Sequence, residues 1–156
     1  CKEKGVESLL EVCRQLPDIP FVFAGAGPLE DEVNIIKNVD NKGFSTGKLL
    51  YKLIKQAAFT VFPSEWYENC PFSVMETQMY GTPVLASDLG GTSELVLDGI
   101  SGEMFQAGNK VQLKEKIQKL WNNEELREKY TEGCSKVRFD STEDYCIKLL
   151  EVYQNA

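Results

Sequence analysis

Residues 60–86 read TVFPSEWYENCPFSVMETQMYGTPVLA, and this stretch decides the fold. A short apolar run stands at each end, at residues 60–62 and 83–86. Between the two runs, Pro71 marks the start of a helical segment and Gly81 marks its end, the usual punctuation of a helix. Two strands joined through a helix make a βαβ unit, and this unit predicts a parallel sheet.

The same alternation extends along the rest of the chain. Further strands are predicted at residues 21–24, 39–44 and 103–105. Helices are predicted at residues 6–16, 29–37, 49–58, 72–80, 92–97, 111–121, 124–137 and 142–153. The pattern indicates an α/β fold, a Rossmann-like doubly wound parallel sheet. Ligands of such sheets bind outside the carboxyl ends of the strands, so the loops that follow the strands are the candidate sites.

Length, composition and charge exclude several classes of protein. The 156 residues make one ordinary domain, and 42% hydrophobic with 26% charged residues is typical of a globular protein. No apolar run approaches the roughly 18 residues of a membrane span, so no transmembrane segment is predicted. A net charge of −7 argues against a nucleic-acid partner.

The cysteines indicate a reducing compartment. They are five in number, an odd count, and no C-x-x-C pair occurs among Cys1, Cys13, Cys70, Cys134 and Cys146. Together with the absence of a signal-like start, this predicts reduced thiols in a cytoplasmic protein. Because the chain starts at Cys1 without Met, we expect it to be a fragment of a longer protein.

Charge is distributed unevenly. Residues 56–109 contain seven acidic residues and no Lys or Arg. An anionic ligand held there would need backbone N–H groups, with cations supplied from elsewhere. The available cations are Lys4, Lys37, Lys42, Lys48, Lys52 and Lys55. For the last five, a solvated helix face is the alternative interpretation.

Several familiar motifs fail. Gly25-Ala26-Gly27 has Glu30 where a dinucleotide fingerprint needs its third glycine, and residues 43–49 lack the spacing of a phosphate loop. With no His in the chain, a Ser-His-Asp or Cys-His pair cannot be built. Neither zinc-ligand spacing nor an Asp-x-Asp pair occurs, so no metal and no other cofactor is expected.

One group of candidate ligand-binding residues remains, in residues 63–76. The helix that starts at Pro71 presents free N–H groups and a partial positive charge, which together bind phosphate without a basic side chain. Glu76, about one turn into this helix, can accept hydrogen bonds from the vicinal hydroxyls of a ribose. Glu68 lies in the loop just before. The alternative is that Glu68 is a solvated loop residue and Glu76 an acid favoured by the helix dipole.

The order and spacing of these segments resemble the carboxyl-terminal domain of the retaining group 1 glycosyltransferases of GT-B architecture. The resemblance covers nearly the whole chain. Its segments are Glu3-Lys4-Gly5-Val6, Phe23 to Leu29, Gly43-Phe44, Val61 to Ser64, Glu68 to Glu76, Tyr80 to Ser87, Gly90 to Val96, and Asp98 to Gly102.

The resemblance implies that residues 1–156 are a single domain that binds a nucleoside diphosphate sugar, and that the amino-terminal acceptor domain is absent from this chain. It implies a role for each candidate residue. Glu76 binds the ribose, and the backbone of Pro71, Phe72 and Ser73 meets the diphosphate and sugar. Backbone atoms of Phe44 and Ser45 contact the base, and Lys4 neutralises the leaving group. Glu68 lies against the transferred sugar, as nucleophile or, as we favour, as an orienting group.

The implied reaction is transfer of a sugar to an acceptor hydroxyl with retention, in polysaccharide or glycoconjugate biosynthesis. The acceptor, a glycan or a lipid, would bind through the absent domain, so we expect the fragment alone to be inactive. The inner face of a membrane is the alternative location. Other functions left open are a non-catalytic nucleotide-sugar-binding module and a GT-B sugar-nucleotide epimerase. The family's Arg that partners Lys4 would precede Cys1, and Thr77 and Ser93 stand where Ala and Pro are common.

Overall fold

The computed structural model describes residues 2–155 and alternates short strands with helices. The strands are β1 (Phe21–Phe23), β2 (Val39–Asn41), β3 (Thr60–Phe62), β4 (Val84–Asp88) and β5 (Gly102–Gln106). The helices are α1 (Val6–Gln15), α2 (Glu30–Asn34), α3 (Gly47–Gln56), α4 (Phe72–Met79), α5 (Thr92–Leu95), α6 (Lys110–Trp121), α7 (Glu124–Cys134) and α8 (Thr142–Gln154). A short 3-10 helix, Lys2–Lys4, precedes α1. The predicted α/β class is confirmed.

All strand pairs are parallel, as the alternation of strands and helices predicts. β1 pairs with β2, and Phe21 lies opposite Val39. β4 lies between β3 and β5, with Val84 opposite both Thr60 and Gly102. Within the described residues the strands therefore form two hydrogen-bonded groups, of two and three strands.

A shared core joins the two groups of strands. Its centre is α1, which buries Leu10, Val12 and Cys13 completely. The same cluster contains Leu85 of β4 and Ile117 of α6, and residues of β1 and β3 pack against its margin. β4 has four consecutive buried residues, as expected for a strand covered by helices on both faces. α1 thus fixes the strand groups relative to each other.

The loops at the carboxyl ends of the strands are tied together by backbone hydrogen bonds. After β1 and β2, the Gly25 N–H donates to the Gly43 carbonyl at 2.7 Å. After β3, the Glu65 N–H donates to the Glu3 carbonyl at 2.8 Å, which attaches this loop to the start of α1. Side chains on these loops are therefore held at one edge of the sheets. No helix in residues 2–155 has the length and apolar character to cross a membrane.

The four described cysteines carry free thiols in two environments. Burial raises the pKa of Cys13 to about 12 and the pKa of Cys134 to about 11, while Cys70 and Cys146 are exposed. Cys1 lies outside the described residues.

Because the thiolate is the reactive form, we expect iodoacetamide at pH 8 to label Cys70 and Cys146 quickly in the native protein. Cys13 and Cys134 should be labelled only in denaturant. Peptide mass spectrometry of timed samples checks this. Labelling of Cys13 in the native protein as fast as Cys70 would contradict the described core.

Candidate functional site

The loop between β3 and α4 holds a carboxylate that is paired with a lysine. The Lys4 ammonium group donates to Oε1 of Glu68, 64 residues away in sequence. The buried Ser64 hydroxyl lies 3.2 Å from the same oxygen. The Glu68 side chain is only 19% exposed, whereas Lys4 is half exposed. The structure thus brings together two of the predicted site residues and adds a third, Ser64, that the sequence analysis does not identify.

Lys4 reaches Glu68 because the turn before α1 packs directly on the loop after β3. Gly5 has a φ of +65°, and a Cβ atom there would lie 1.8 Å from the Pro63 carbonyl oxygen. Beside this contact, the Ser8 hydroxyl donates to Oε1 of Glu65 at 2.5 Å. Only glycine fits this left-handed, closely packed position without a shift of the backbone.

A second turn holds the other side of the same loop. The Gly91 N–H, in the turn between β4 and α5, donates to the Glu68 carbonyl at 2.8 Å. A Cβ atom on Gly91 would lie 1.9 Å from the Asn69 carbonyl oxygen. The backbone of Glu68 is therefore fixed from both sides, and its side chain has a defined position.

The start of α4 has unsatisfied backbone donors. Pro71 is the N-cap residue, and no side chain caps the helix. Among residues 2–155, no acceptor lies within hydrogen-bond distance of the N–H groups of Phe72 and Ser73. Both residues are exposed. Together with the partial positive charge of a helix N-terminus, these N–H groups can bind an anion.

Glu76 lies one turn further along α4 and is half-buried. No group of residues 2–155 donates a hydrogen bond to its carboxylate, so both carboxylate oxygens can accept bonds from a ligand. α4 therefore presents an anion site and, one turn later, a free hydrogen-bond acceptor on one short element.

Phe44 and Ser45 follow β2 at the same edge of the sheets. The Phe44 ring is 79% exposed, whereas Ser45 is buried and its hydroxyl donates to the Gly43 carbonyl at 3.3 Å. Neither side chain hydrogen-bonds or pairs with Glu68 or Glu76. Phe44 is thus the side chain of this turn that is free to contact a ligand.

The candidate site is an open edge and not an enclosed cavity. A cavity of about 160 Å³ lies between α1, α2 and the end of β1, lined by Val6, Phe23 and Gly27 among others. It is smaller than the roughly 300 Å³ of a typical ligand pocket, and neither Glu68 nor Glu76 lines it. In the described part of the chain, no three Cys, Asp or Glu side chains converge as a metal site would require.

The sequence analysis misses a buried ionic cluster. Glu103 on β5 is 3% exposed and bonds Lys116 at 2.8 Å, Lys119, and the Tyr130 hydroxyl at 2.9 Å. Burial raises the pKa of the Glu103 carboxyl, but the bonds from the two lysines and the tyrosine outweigh it, so the pKa lies below its ordinary value. Two features of the sequence could have revealed this cluster: an acid inside the strand GEMFQ, and the Lys-x-x-Lys spacing on α6.

Two known proteins are similar in sequence to this chain. An uncharacterized glycosyltransferase of Methanocaldococcus jannaschii is 31% identical over 131 residues, which are 80% of this chain and 37% of that protein. The O-antigen chain mannosyltransferase C of Escherichia coli is 32% identical over 156 residues, covering 92% of this chain and 41% of the relative. The chain thus spans about two fifths of the length of these proteins.

A solved structure shares the fold. HepE from Anabaena, in complex with UDP, superposes on 100% of this chain with a TM-score of 0.84, at 19% identity and over 46% of its own length. The sequence model of the glycosyl transferases group 1 matches residues 1–137. With its Rossmann-like α/β fold, shared with GT-B glycosyltransferases, the chain therefore belongs to the group 1 glycosyltransferases.

Proposed function

We propose that this chain is the carboxyl-terminal, donor-binding domain of an enzyme that transfers a sugar from a nucleoside diphosphate sugar with retention at the anomeric carbon. The observation that carries the proposal is the contact of Lys4 with Glu68 beside the uncapped start of α4. A cation, a fixed carboxylate and free N–H groups lie at one sheet edge, where α/β folds bind ligands. UDP bound to HepE, a structural neighbour, agrees with a nucleotide donor.

In this proposal the diphosphate binds at the start of α4. The residues there are Pro71, Phe72 and Ser73, and the free N–H groups of the last two can donate to the anion. As the bond between the anomeric carbon and the phosphate oxygen breaks, negative charge accumulates on the leaving diphosphate. Donors that are already in position stabilise this charge without reorganisation. Lys4 adds a positive charge, which it can share with the diphosphate while it remains near Glu68.

The remaining candidate residues orient the donor. Glu76 accepts hydrogen bonds from the ribose hydroxyls, and the turn at Phe44 and Ser45 contacts the base. Glu68, held by Ser64 and by the Gly91 N–H, orients the transferred sugar. This orienting role suits a carboxylate whose Oε1 is held by Lys4 and Ser64 and whose backbone is held by Gly91, because a fixed group keeps the anomeric carbon in one geometry for attack by the acceptor hydroxyl. No metal or other cofactor is part of the proposal.

The complete enzyme would have two α/β domains. We propose that an amino-terminal domain binds the acceptor, a glycan or a lipid, and that residues 1–156 alone bind nucleotide without transferring sugar. The name of the Escherichia coli relative, an O-antigen chain mannosyltransferase, favours polysaccharide or glycoconjugate biosynthesis. The enzyme would work in the cytoplasm, with its acceptor at the inner face of a membrane.

Two other functions would use the same site. A non-catalytic module would bind nucleotide sugar without turnover, and an epimerase would release nucleotide or an epimer without an acceptor. Product analysis with the full-length protein separates the three. Retention is checked by the anomeric configuration of the product, read from NMR coupling constants.

Nucleotide binding to the chain tests the proposal directly. We expect one of UDP, GDP and ADP to raise the unfolding temperature, because a ligand at 100 times its Kd adds about 2.7 kcal/mol to the free energy of unfolding. The Glu76→Ala variant should lose most of this shift, since it lacks the ribose acceptor. Differential scanning fluorimetry measures both.

Glu115→Ala is the matched control, because Glu115 is an exposed helical glutamate on α6, outside the candidate site. Its nucleotide shift should equal that of the unaltered protein. If none of the three nucleotides stabilises either this chain or the full-length protein, the donor-binding proposal is wrong.

A further inference from the structure

Helix α3 is amphipathic, yet it buries none of its residues completely. Leu50, Leu53 and Ile54 are half-buried against the domain. Leu49, in contrast, is 52% exposed, and Tyr51 is 37% exposed with its ring centroid 5.1 Å from that of Tyr80. Transfer of exposed apolar side chains out of water is favourable, so an apolar partner would stabilise this outward face of α3.

Three lysines form a stripe on the same outward face. Lys48, Lys52 and Lys55 are spaced i, i+4 and i+7, which places them on one side of a helix with about 3.6 residues per turn. Leu49 lies on one flank of the stripe and Tyr51 on the other. All three lysines are exposed, and in the part of the chain that the structure describes none of them pairs with an acid. We call this surface, Lys48, Leu49, Tyr51, Lys52 and Lys55, the α3 face.

The charge of the α3 face is opposite to that of the whole chain. The net charge of the chain is −7, but residues 41–64 contain four lysines and no Asp or Glu. Lys42 is neutralised by Asp40 at 2.6 Å, so the positive potential is concentrated on α3. Beyond the carboxyl end of α3, a groove is lined by Ala57, Ala58 and residues of α7, where three glutamates outnumber Arg127, so the positive charge of α3 does not continue into the groove.

We propose that the α3 face docks this protein onto the surface of an anionic lipid bilayer. The proposal rests on the proposed function, because a transferase that modifies a membrane-bound acceptor must approach the bilayer. Interfacial helices combine lysines with flanking apolar side chains, and the α3 face has both. Each lysine near an anionic leaflet attracts it, and Leu49 and Tyr51 enter the headgroup region.

The phosphates of a duplex nucleic acid could pair with the lysines, but a duplex has no hydrophobic region in which Leu49 and Tyr51 could be buried. The combination of cationic and apolar groups therefore favours a bilayer over a nucleic acid. The lysines also lie on the outward side of α3, whereas the site proposed above uses the start of α4 and the turn before α3. Membrane docking and nucleotide binding can therefore be measured separately.

Flotation of the full-length protein with vesicles tests the α3 face. We expect binding to vesicles of 70% phosphatidylcholine and 30% phosphatidylglycerol at 0.1 M salt, and little binding to pure phosphatidylcholine. Lys52→Gln with Lys55→Gln should lower the partition coefficient about 30-fold, as expected for two lysines at an anionic surface. Leu49→Ser should lower it as well, without loss of stability, since its side chain is half exposed.

The matched control is Lys129→Gln with Lys136→Gln, which changes the net charge equally at two other exposed lysines. This pair should bind vesicles like the unaltered protein. Equal loss in the control, equal binding to neutral vesicles, or unchanged binding of the α3 pair would overturn the docking proposal. Nucleotide-induced stabilisation, measured on the same variants, should persist, and its absence from every variant would count against the proposed function and not against the α3 face.

Discussion

The Glu103→Ala variant should lose about 3–5 kcal/mol of the free energy of unfolding, the loss typical when one partner of a buried ion pair is removed. Glu103 pairs with Lys116 and Lys119 and accepts a hydrogen bond from the Tyr130 hydroxyl. Without the Glu103 carboxylate, the hydroxyl of the buried Tyr130 has no hydrogen-bond acceptor. Lys116, which is only 23% exposed, has no counter-charge. Urea denaturation followed by circular dichroism measures the loss.

Two comparisons make this expectation specific. Lys119→Gln should cost far less, about 1 kcal/mol, because Lys119 is half exposed and Glu103 keeps two partners. Acid should reduce the difference between Glu103→Ala and the unaltered protein. Because the pKa of Glu103 is lowered by folding, its stabilisation is present above the unfolded pKa of about 4.3 and is lost as the pH falls through the folded pKa. A loss below 1 kcal/mol at pH 7 would show that the cluster does not hold β5 to α6 and α7.

Sequence periodicity predicts the elements of this fold well because most of them are defined by local patterns. It places the ends of two helices three residues too late, because tertiary contacts end these helices earlier. α2, predicted to reach residue 37, ends at Asn34, where the chain turns to place Val39 opposite Phe21. α7, predicted to reach residue 137, ends at Cys134, just after Gly133 packs on the Ile100 backbone. Neither contact can be predicted from the spacing of apolar residues in the sequence.

The sequence predicts which residues form the candidate site, but it does not predict which of them contact one another. Glu68, Glu76 and Pro71 stand out in one short segment, and resemblance adds Lys4 from the far end of the chain. That Lys4 pairs with Glu68, and that Ser64 supports the same carboxylate, depends on how the turn at Gly5 packs on the loop after β3. The Lys4–Glu68 pair and the packing of Gly5 on Pro63 join residues about 60 positions apart, so no local pattern encodes them. The Glu103 cluster joins residues 13 to 27 positions apart, and the sequence indicates it only through an acid inside a strand and a Lys-x-x-Lys spacing on α6.

Replacing Gly5 should damage both the fold and the candidate site. In Gly5→Ala, the new Cβ atom would lie 1.8 Å from the Pro63 carbonyl oxygen, at a φ of +65°. The left-handed backbone alone costs roughly 1–2 kcal/mol, and the overlap adds roughly 1–3 kcal/mol because a backbone must move. We therefore expect about 2–5 kcal/mol less free energy of unfolding, measured by urea denaturation.

Gly81→Ala separates the two contributions. Gly81 also has a positive φ, +76°, but a Cβ atom there would meet nothing within 4 Å. It should therefore cost only the roughly 1–2 kcal/mol of the left-handed backbone. Because Gly5 positions Lys4 against Glu68, Gly5→Ala should also weaken nucleotide-induced stabilisation, whereas Gly81→Ala should preserve it. Equal losses of stability in the two variants would mean that the turn before α1 is not packed on the loop after β3. The described contact of Lys4 with Glu68 would then also be wrong.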